Sequence, residues 1–339
     1  MTPGEERGAG VAAFLSAAGW GRARRQSLAG DASSRRYERL TGPTGTAVLM
    51  DAGPAGEDQT RRFASLALWL AERGYSAPRV LAAAEDRGLL LLEDLGDDLV
   101  ARVVRRDPSL EGPLYRLATD FLSDLGGHQP PATVGSLDAE ALGDLLRLTE
   151  TVYATAAGSE PAFGLAATMA ELARPLDQIP KVLSLRDFHA ENLLWLPDRA
   201  GLARLGLLDF QDAVAAHPAY DLISLTRDAR RDVPAGLAAG LADRFCRRNR
   251  HDSGQFAADC ALLGAHRSLR ILGVFARLAT EDAKLSYLDL MPRVWSYLRR
   301  DLAMPALAPL RDLVLRCLPE PTPAVLDRIR SRCPTSLPQ

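Results

Sequence analysis

The strongest constraint on the fold is a change of pattern near residue 96. Before it, short apolar runs of strand length alternate with turn residues. Thr46–Asp51 (T-A-V-L-M-D) is set off by Gly42, Pro43 and Gly45, and two short strand candidates precede it, separated by a small-residue turn within Leu28–Leu40. Phe63, Leu66, Ala67 and Leu70 follow helical spacing up to Gly74. Val80–Ala84 and Leu89–Leu92 then supply two more strands, parted by Glu85-Asp86-Arg87-Gly88. Three strands, one helix and two strands make a small sheet with one helix beside it. Beyond Gly96 helical patterns dominate: Leu99–Arg106, Leu110–Leu125, Ala139–Ala157, Ala167–Leu172, and nearly everything after Tyr220. One strand-like island interrupts them at Val182–Leu185, Asn192–Leu196 and Leu205–Phe210. The expectation is an α+β bilobal chain. A five-stranded lobe spans 1–95, a larger mainly helical lobe spans 96–339, and a hinge lies near Glu93–Gly96.

The island carries the chemistry. Asp187 is followed five residues later by Asn192, and Asp209 closes an apolar strand 17 positions after that. Phosphoryl transfer needs a carboxylate to hold the acceptor hydroxyl and hard oxygen ligands to hold Mg²⁺ against phosphates. An Asp and an Asn on one rigid loop, with a second Asp at a strand end, supply those groups. Leu193 and Leu194 anchor the loop in the core. The competing reading makes both aspartates turn or cap residues. The strand-rich lobe and hinge ahead of the motif weigh against it.

Composition excludes other classes. At 339 residues, 47% hydrophobic and 25% charged, the chain is globular and long enough for two lobes. A formal charge of −2 offers no basic field for nucleic acid. Cys246, Cys260, Cys317 and Cys333 show no paired spacing for zinc and read as reduced thiols of a cytoplasmic protein. The apolar run Val11–Leu15 follows Glu5 and Glu6 and leads to Arg22, Arg24 and Arg25 without a small-residue cleavage site. It reads as an amphipathic helix, not a signal peptide. No apolar stretch approaches the ~20 residues of a membrane span.

The loop and strand resemble the catalytic and magnesium motifs of the aminoglycoside-phosphotransferase and protein-kinase-like superfamily. Further segments resemble one branch of it: G-D-A-S-S-R-R-Y at 30–37, L-L-L-E-D-L-G-D at 90–97, R-D-F-H-A-E-N-L-L-W-L-P at 186–197, L-D-F-Q-D-A at 208–213 and A-H-R-S-L-R-I-L-G-V-F-A-R-L at 265–278. That branch is the anomeric sugar kinases acting on N-acetylmuramate and N-acetylglucosamine in peptidoglycan recycling. The resemblance runs from about Phe14 to Leu318. It implies ATP and Mg²⁺ as cofactors and a small amino sugar as substrate. Asp187 would be the base, and Asn192 and Asp209 the metal ligands. Adenine would bond to the hinge backbone at Glu93–Leu95. A phosphate-covering loop would include Gly30, Ser33, Ser34, Arg35 and Arg36.

One departure is informative. The superfamily's phosphate-contacting lysine on the third strand falls at Met50, and no lysine occurs before Lys181. Arg35 and Arg36 become the candidates to neutralise phosphate, since arginine can bind it through two parallel bonds. A non-catalytic nucleotide binder is the other reading of that absence, opposed by the intact Asp187, Asn192 and Asp209. Arg186, His189 and Asp221 are expected to brace the catalytic loop. Asp212 either reaches substrate hydroxyls or serves a local turn. Arg267 and Arg270 either meet the lactyl carboxylate of an acidic sugar or occupy a solvated helix face.

Overall fold

The structure is a computed structural model that describes residues 2–28, 35–43 and 45–334. By packing, the chain forms two compact units. The first runs up to Ala118 and also takes Ala190–Asp212; the second comprises Thr119–His189 and the chain from Ala213 onward. Residues 190–212 lie beyond the sequence boundary at 95/96, yet they pack with the first unit.

In the first unit, β1 (Arg24–Leu28), β2 (Arg36–Gly42), β3 (Gly45–Asp51), β4 (Val80–Ala84) and β5 (Leu89–Glu93) form one antiparallel sheet in the order β1-β2-β3-β5-β4. Alternation along the strands decides the faces. Leu40, Ala47, Leu49, Leu89 and Leu91 bury against Val11, Phe14 and Leu15 of the helix Pro3–Ala17. Met50 pairs with Tyr37 on one side and Leu90 on the other, and its side chain is fully buried. The helix Glu57–Ala71 buries Thr60, Phe63, Leu66, Ala67 and Leu70, matching the spacing read from the sequence.

A hairpin of β7 (Leu193–Trp195) and β8 (Leu205–Leu207) completes this unit. Gly206 bridges to Ser76, and Leu194 to Leu99. The hairpin therefore joins the first unit through backbone pairing as well as burial. A Cβ at Gly206 would lie 2.9 Å from that of Leu194, so glycine is required for the close approach.

The second unit is mainly helical. Its longest element, Ser253–Thr280, has 28 residues and buries most of its length, including His266, Arg267, Leu269 and Leu272. A short ladder pairs β6 (Val182–Ser184) with β9 (Val214–Ala216). The expected helix Ala139–Ala157 is interrupted. Ala139–Asp144 is followed by a wider π-turn over Thr149–Tyr153 and a last turn Ala154–Ala157. Tertiary contacts explain the break. Thr149 donates its hydroxyl to the Leu269 carbonyl at 2.7 Å, and its amide passes so near Gly273 that a Cβ there would lie 2.6 Å away. Glu150 accepts the amides of Gly164 and Ala166, both at 2.9 Å. Among the described residues no helix is long and apolar enough to cross a membrane.

Candidate active site

In the second unit, β6 delivers the chain into the segment Leu185–His189. Leu185 and Phe188 are buried, and the Phe188 ring stacks on Phe121 with centroids 5.5 Å apart. Between these anchors Arg186 adopts a left-handed backbone, φ 66°. For a residue with a side chain that conformation costs about 1–3 kcal/mol and persists only where the surroundings dictate it. Here they do. The Arg186 amide donates to Asp221 Oδ1 at 3.0 Å and to Ser184 Oγ at 3.2 Å. Its carbonyl accepts from Ser224 Oγ at 3.1 Å and from Arg267 Nη1 at 3.2 Å. Asp221 also accepts the Leu185 amide and the Ser184 hydroxyl, at 2.6 and 2.7 Å. The residue before Asp187 is thus held at both of its peptide groups.

Charge around Asp187 follows from the same set. Burial raises the Asp187 carboxyl, but the fields of Arg267, Arg270, His189 and Arg186 outweigh it and leave the pKa below its ordinary value. The group is ionised at neutral pH. His189 is buried, and desolvation lowers its pKa despite Asp228. Burial pushes Asp221 up to about 6 against its Ser184, Leu185, Arg186 and Arg267 contacts; at neutral pH its donors still face a carboxylate.

Asn192 and Asp209 belong to the first unit. The Leu208 amide donates to the Asn192 carbonyl at 2.9 Å, which extends the β7–β8 ladder by one step and sets Asn192 opposite Leu208, the residue before Asp209. Asp209 then turns the chain with φ 54°. Phe210 is driven inward against Phe63, centroids 4.8 Å apart, while Asp209 stays two-fifths exposed with its side chain 42% accessible. Its Oδ1 receives Arg35 Nη2 at 2.8 Å and Gln211 Nε2 at 3.0 Å. Among the described residues Oδ2 accepts no hydrogen bond. A hard divalent cation binds oxygen donors of this type. The half-exposed Asp209 carboxylate and the neighbouring Asn192 are oxygen donors of the kind that Mg²⁺ takes.

The remaining sequence candidates divide by environment. Arg35 is buried and ion-paired to Asp209, whereas Arg36 opens β2 with an exposed side chain. Gly30, Ser33 and Ser34 lie outside the described residues. At the hinge, the Glu93 carboxylate binds Arg79 and Arg199 at 3.2 and 2.8 Å, and its amide donates to the Arg79 carbonyl. Leu95 has neither its amide nor its carbonyl engaged among the described residues, so it offers the hinge's open backbone pair. Asp212 is exposed and receives Gln211 Nε2 at 3.2 Å. The sequence did not single out Ser184, Ser224, Gln211 or Asp228. Asp228 is buried, caps the Arg230 amide at 2.8 Å and acts on His189. Ser184 and Ser224 act through partners 37 and 38 positions away, whereas Gln211 and Asp228 bond within two positions in a pattern that no sequence spacing marks.

A five-stranded sheet, a largely helical second unit and an Asp-x-x-x-x-Asn segment ahead of a strand-end Asp define a kinase-like phosphotransferase. The chain belongs to the phosphotransferase enzyme family, which it matches over residues 24–256. It is 39% identical to the N-acetylmuramate/N-acetylglucosamine kinase of Caulobacter vibrioides, over 95% of this chain and 99% of that protein. It is 31% identical to the protein of the same name from Pseudomonas aeruginosa, over 90% and 92% of the two chains. Among solved structures, a choline/ethanolamine kinase family protein of Mesorhizobium loti superposes with TM-score 0.57 at 18% identity, covering 98% of this chain and all of that one. An aminoglycoside phosphotransferase of Streptomyces rimosus, solved with ADP and streptomycin, gives TM-score 0.51 at 17% identity, covering 77% and 97%. These two likenesses establish the fold.

Proposed function

We propose that the protein is an ATP-dependent kinase that phosphorylates the anomeric C1 hydroxyl of N-acetylmuramate and N-acetylglucosamine. The observation that carries this reading is the 39% identity, over nearly the whole of both chains, to a kinase named for those two sugars. Asp187 is the base. It is ionised at neutral pH and accepts the anomeric proton as the sugar oxygen attacks the γ-phosphorus and ADP leaves. Arg186, locked in its left-handed turn, positions that carboxylate. Asn192 and Asp209 would hold Mg²⁺, which supplies positive charge against the ATP phosphates. The open amide and carbonyl of Leu95 suit the adenine edge. Arg35 serves the phosphate side in place of the lysine that Met50 displaces, since a buried Met50 offers no cation.

The test is ATP consumption by the purified chain with N-acetylmuramate, N-acetylglucosamine and kanamycin as separate acceptors. Turnover with the N-acetyl sugars and not with kanamycin is expected. Turnover with kanamycin alone would overturn the acceptor assignment, and loss of turnover in Asp187→Ala with ATP binding retained would support the base. Near-normal turnover in that variant removes Asp187 from the role.

A further inference from the structure

Two arginines one turn apart on the helix Ser253–Thr280 have different surroundings. Arg267 is buried, and its Nη1 is committed to the Arg186 carbonyl at 3.2 Å. Arg270, three residues on and so on the same helix face, is half-buried. Among the described residues it has neither a hydrogen bond nor a carboxylate within ion-pair distance. A guanidinium without a partner in the protein leaves its donors open to an anion. The position narrows which one. Arg267 and Arg270 lie on the helix face that reaches the Arg186–Asp187 peptide, and the charge of Arg270 is felt at Asp187. Asp187 is the group that meets the acceptor hydroxyl.

We infer that Arg270 binds the carboxylate of the acceptor sugar, and so sets the preference for N-acetylmuramate over N-acetylglucosamine. The inference rests on the sugar-kinase reading above. The two sugars differ by a lactyl ether whose carboxylate is the one anion found on the acceptor alone. A guanidinium matches it through two parallel hydrogen bonds, which an ammonium cannot reproduce. Arg267 has the other role: it is a positioning residue that fixes the Arg186 turn. A cation serving the transferred phosphoryl group would act on both sugars alike, and this difference separates the two possibilities.

The experiment compares kcat/KM for both sugars in the wild type, R270Q and R270K. Loss of a charge-assisted pair corresponds to roughly 10- to 100-fold. R270Q should lose about that much on N-acetylmuramate, mainly through KM, and far less on N-acetylglucosamine. R270K should recover only part of the loss. The methyl ester of N-acetylmuramate, given to the wild-type enzyme, should be as poor a substrate as the free acid is for R270Q; this arm needs no variant to fold. Equal losses on both sugars, or a methyl ester used as well as the acid, overturn the assignment of Arg270. A wild-type enzyme that uses N-acetylglucosamine but not N-acetylmuramate overturns it too, while leaving the kinase reading intact. A wild-type enzyme that turns over neither sugar removes the reading on which the inference rests.

Discussion

The carboxylate of Asp221 accepts the amide of Leu185 at 2.6 Å, tying the first turn of the helix Ala219–Thr226 to the chain two residues ahead of Asp187. The same side chain takes the Arg186 amide and the Ser184 hydroxyl, so one buried group holds three donors of one segment. Asp221→Asn keeps the shape but exchanges an accepting oxygen for a donating NH₂. At least one amide is then left facing a donor, at a cost of about 1–3 kcal/mol. The left-handed turn at Arg186 loses part of its support, and Asp187 loses its fixed direction. A kcat lowered roughly 10- to 100-fold, with the KM for ATP nearly unchanged, is expected in steady-state assays. A wild-type kcat would mean that Ser224 and Arg267 hold the turn without Asp221.

Gly264 faces the buried ion pair of Arg227 and Asp301, whose Nη2 and Oδ1 are 2.9 Å apart. A Cβ at this position would fall 1.4 Å from Arg227 Nη1 and 2.2 Å from Asp301 Oδ2. Neither group has room to retreat as a pair, and separating them leaves buried charge unmatched. Gly264→Ala should therefore destabilise by about 3–5 kcal/mol in urea unfolding. Gly254, at the start of the same helix, has only the Asp252 side chain near its would-be Cβ, at 3.4 Å. Gly254→Ala should change stability by no more than about 1 kcal/mol, and in the stabilising direction. Comparable losses in both variants would locate the effect in the helix backbone and not in the ion pair.

Much of this architecture was legible in the sequence, and the remainder was hidden for physical reasons. The strands Gly45–Asp51, Val80–Ala84 and Leu89–Glu93 and the helix Glu57–Ala71 show their own periodicities, so local pattern sufficed. Asp187, Asn192 and Asp209 stood out because their spacing is itself local. Val214–Ala216 did not, since three residues are too few to show a period and only the partner Val182–Ser184 makes them a strand. The π-turn at Thr149 depends on Leu269 and Gly273, more than a hundred positions away. The ion pair of Arg35 with Asp209 joins residues 174 apart, and the engagement of Glu93 by Arg199 joins residues 106 apart. Sequence could nominate Arg35 and Glu93 for the nucleotide side, but it could not show what already holds them.

His266 gives the fold an acid-sensitive component. Full burial pushes its pKa down to about 3, with Arg270 and Arg267 adding to the effect. The unfolded chain protonates this ring near 6.5 and the folded chain does not, so the stability it contributes is lost progressively as pH falls below 6.5. Asp221 and Asp301 act in the opposite sense. Burial raises both to about 6, so the folded state takes up their protons first and gains stability as pH falls from 6 toward 3.8. The two trends overlap in the wild type, and His266→Gln separates them. The stability difference between wild type and variant should shift toward the variant by about 1.4 kcal/mol per pH unit between pH 6 and pH 4. A difference independent of pH would mean that His266 is protonated in the folded protein.

Arg35 and Arg36 are adjacent in sequence, but only Arg35 reaches the proposed metal ligand. Its Nη2 holds Asp209 Oδ1 at 2.8 Å and makes no bond to Oδ2, whereas Arg36 opens β2 opposite Asp51 with an exposed side chain. A buried guanidinium beside a metal-binding carboxylate both orients that carboxylate and adds positive charge where no lysine is present. Arg35→Gln should therefore raise the KM for MgATP about tenfold, equivalent to the loss of one partly buried charge-assisted hydrogen bond. Arg36→Gln should alter it by less than about twofold, as expected of an exposed surface charge. Titrating Mg²⁺ at fixed ATP refines the comparison, because a misdirected Asp209 should also raise the metal concentration needed for half-maximal rate in Arg35→Gln. If Arg36→Gln carries the larger KM effect, the phosphate-side cation is Arg36, and the Arg35–Asp209 pair is a purely structural bond.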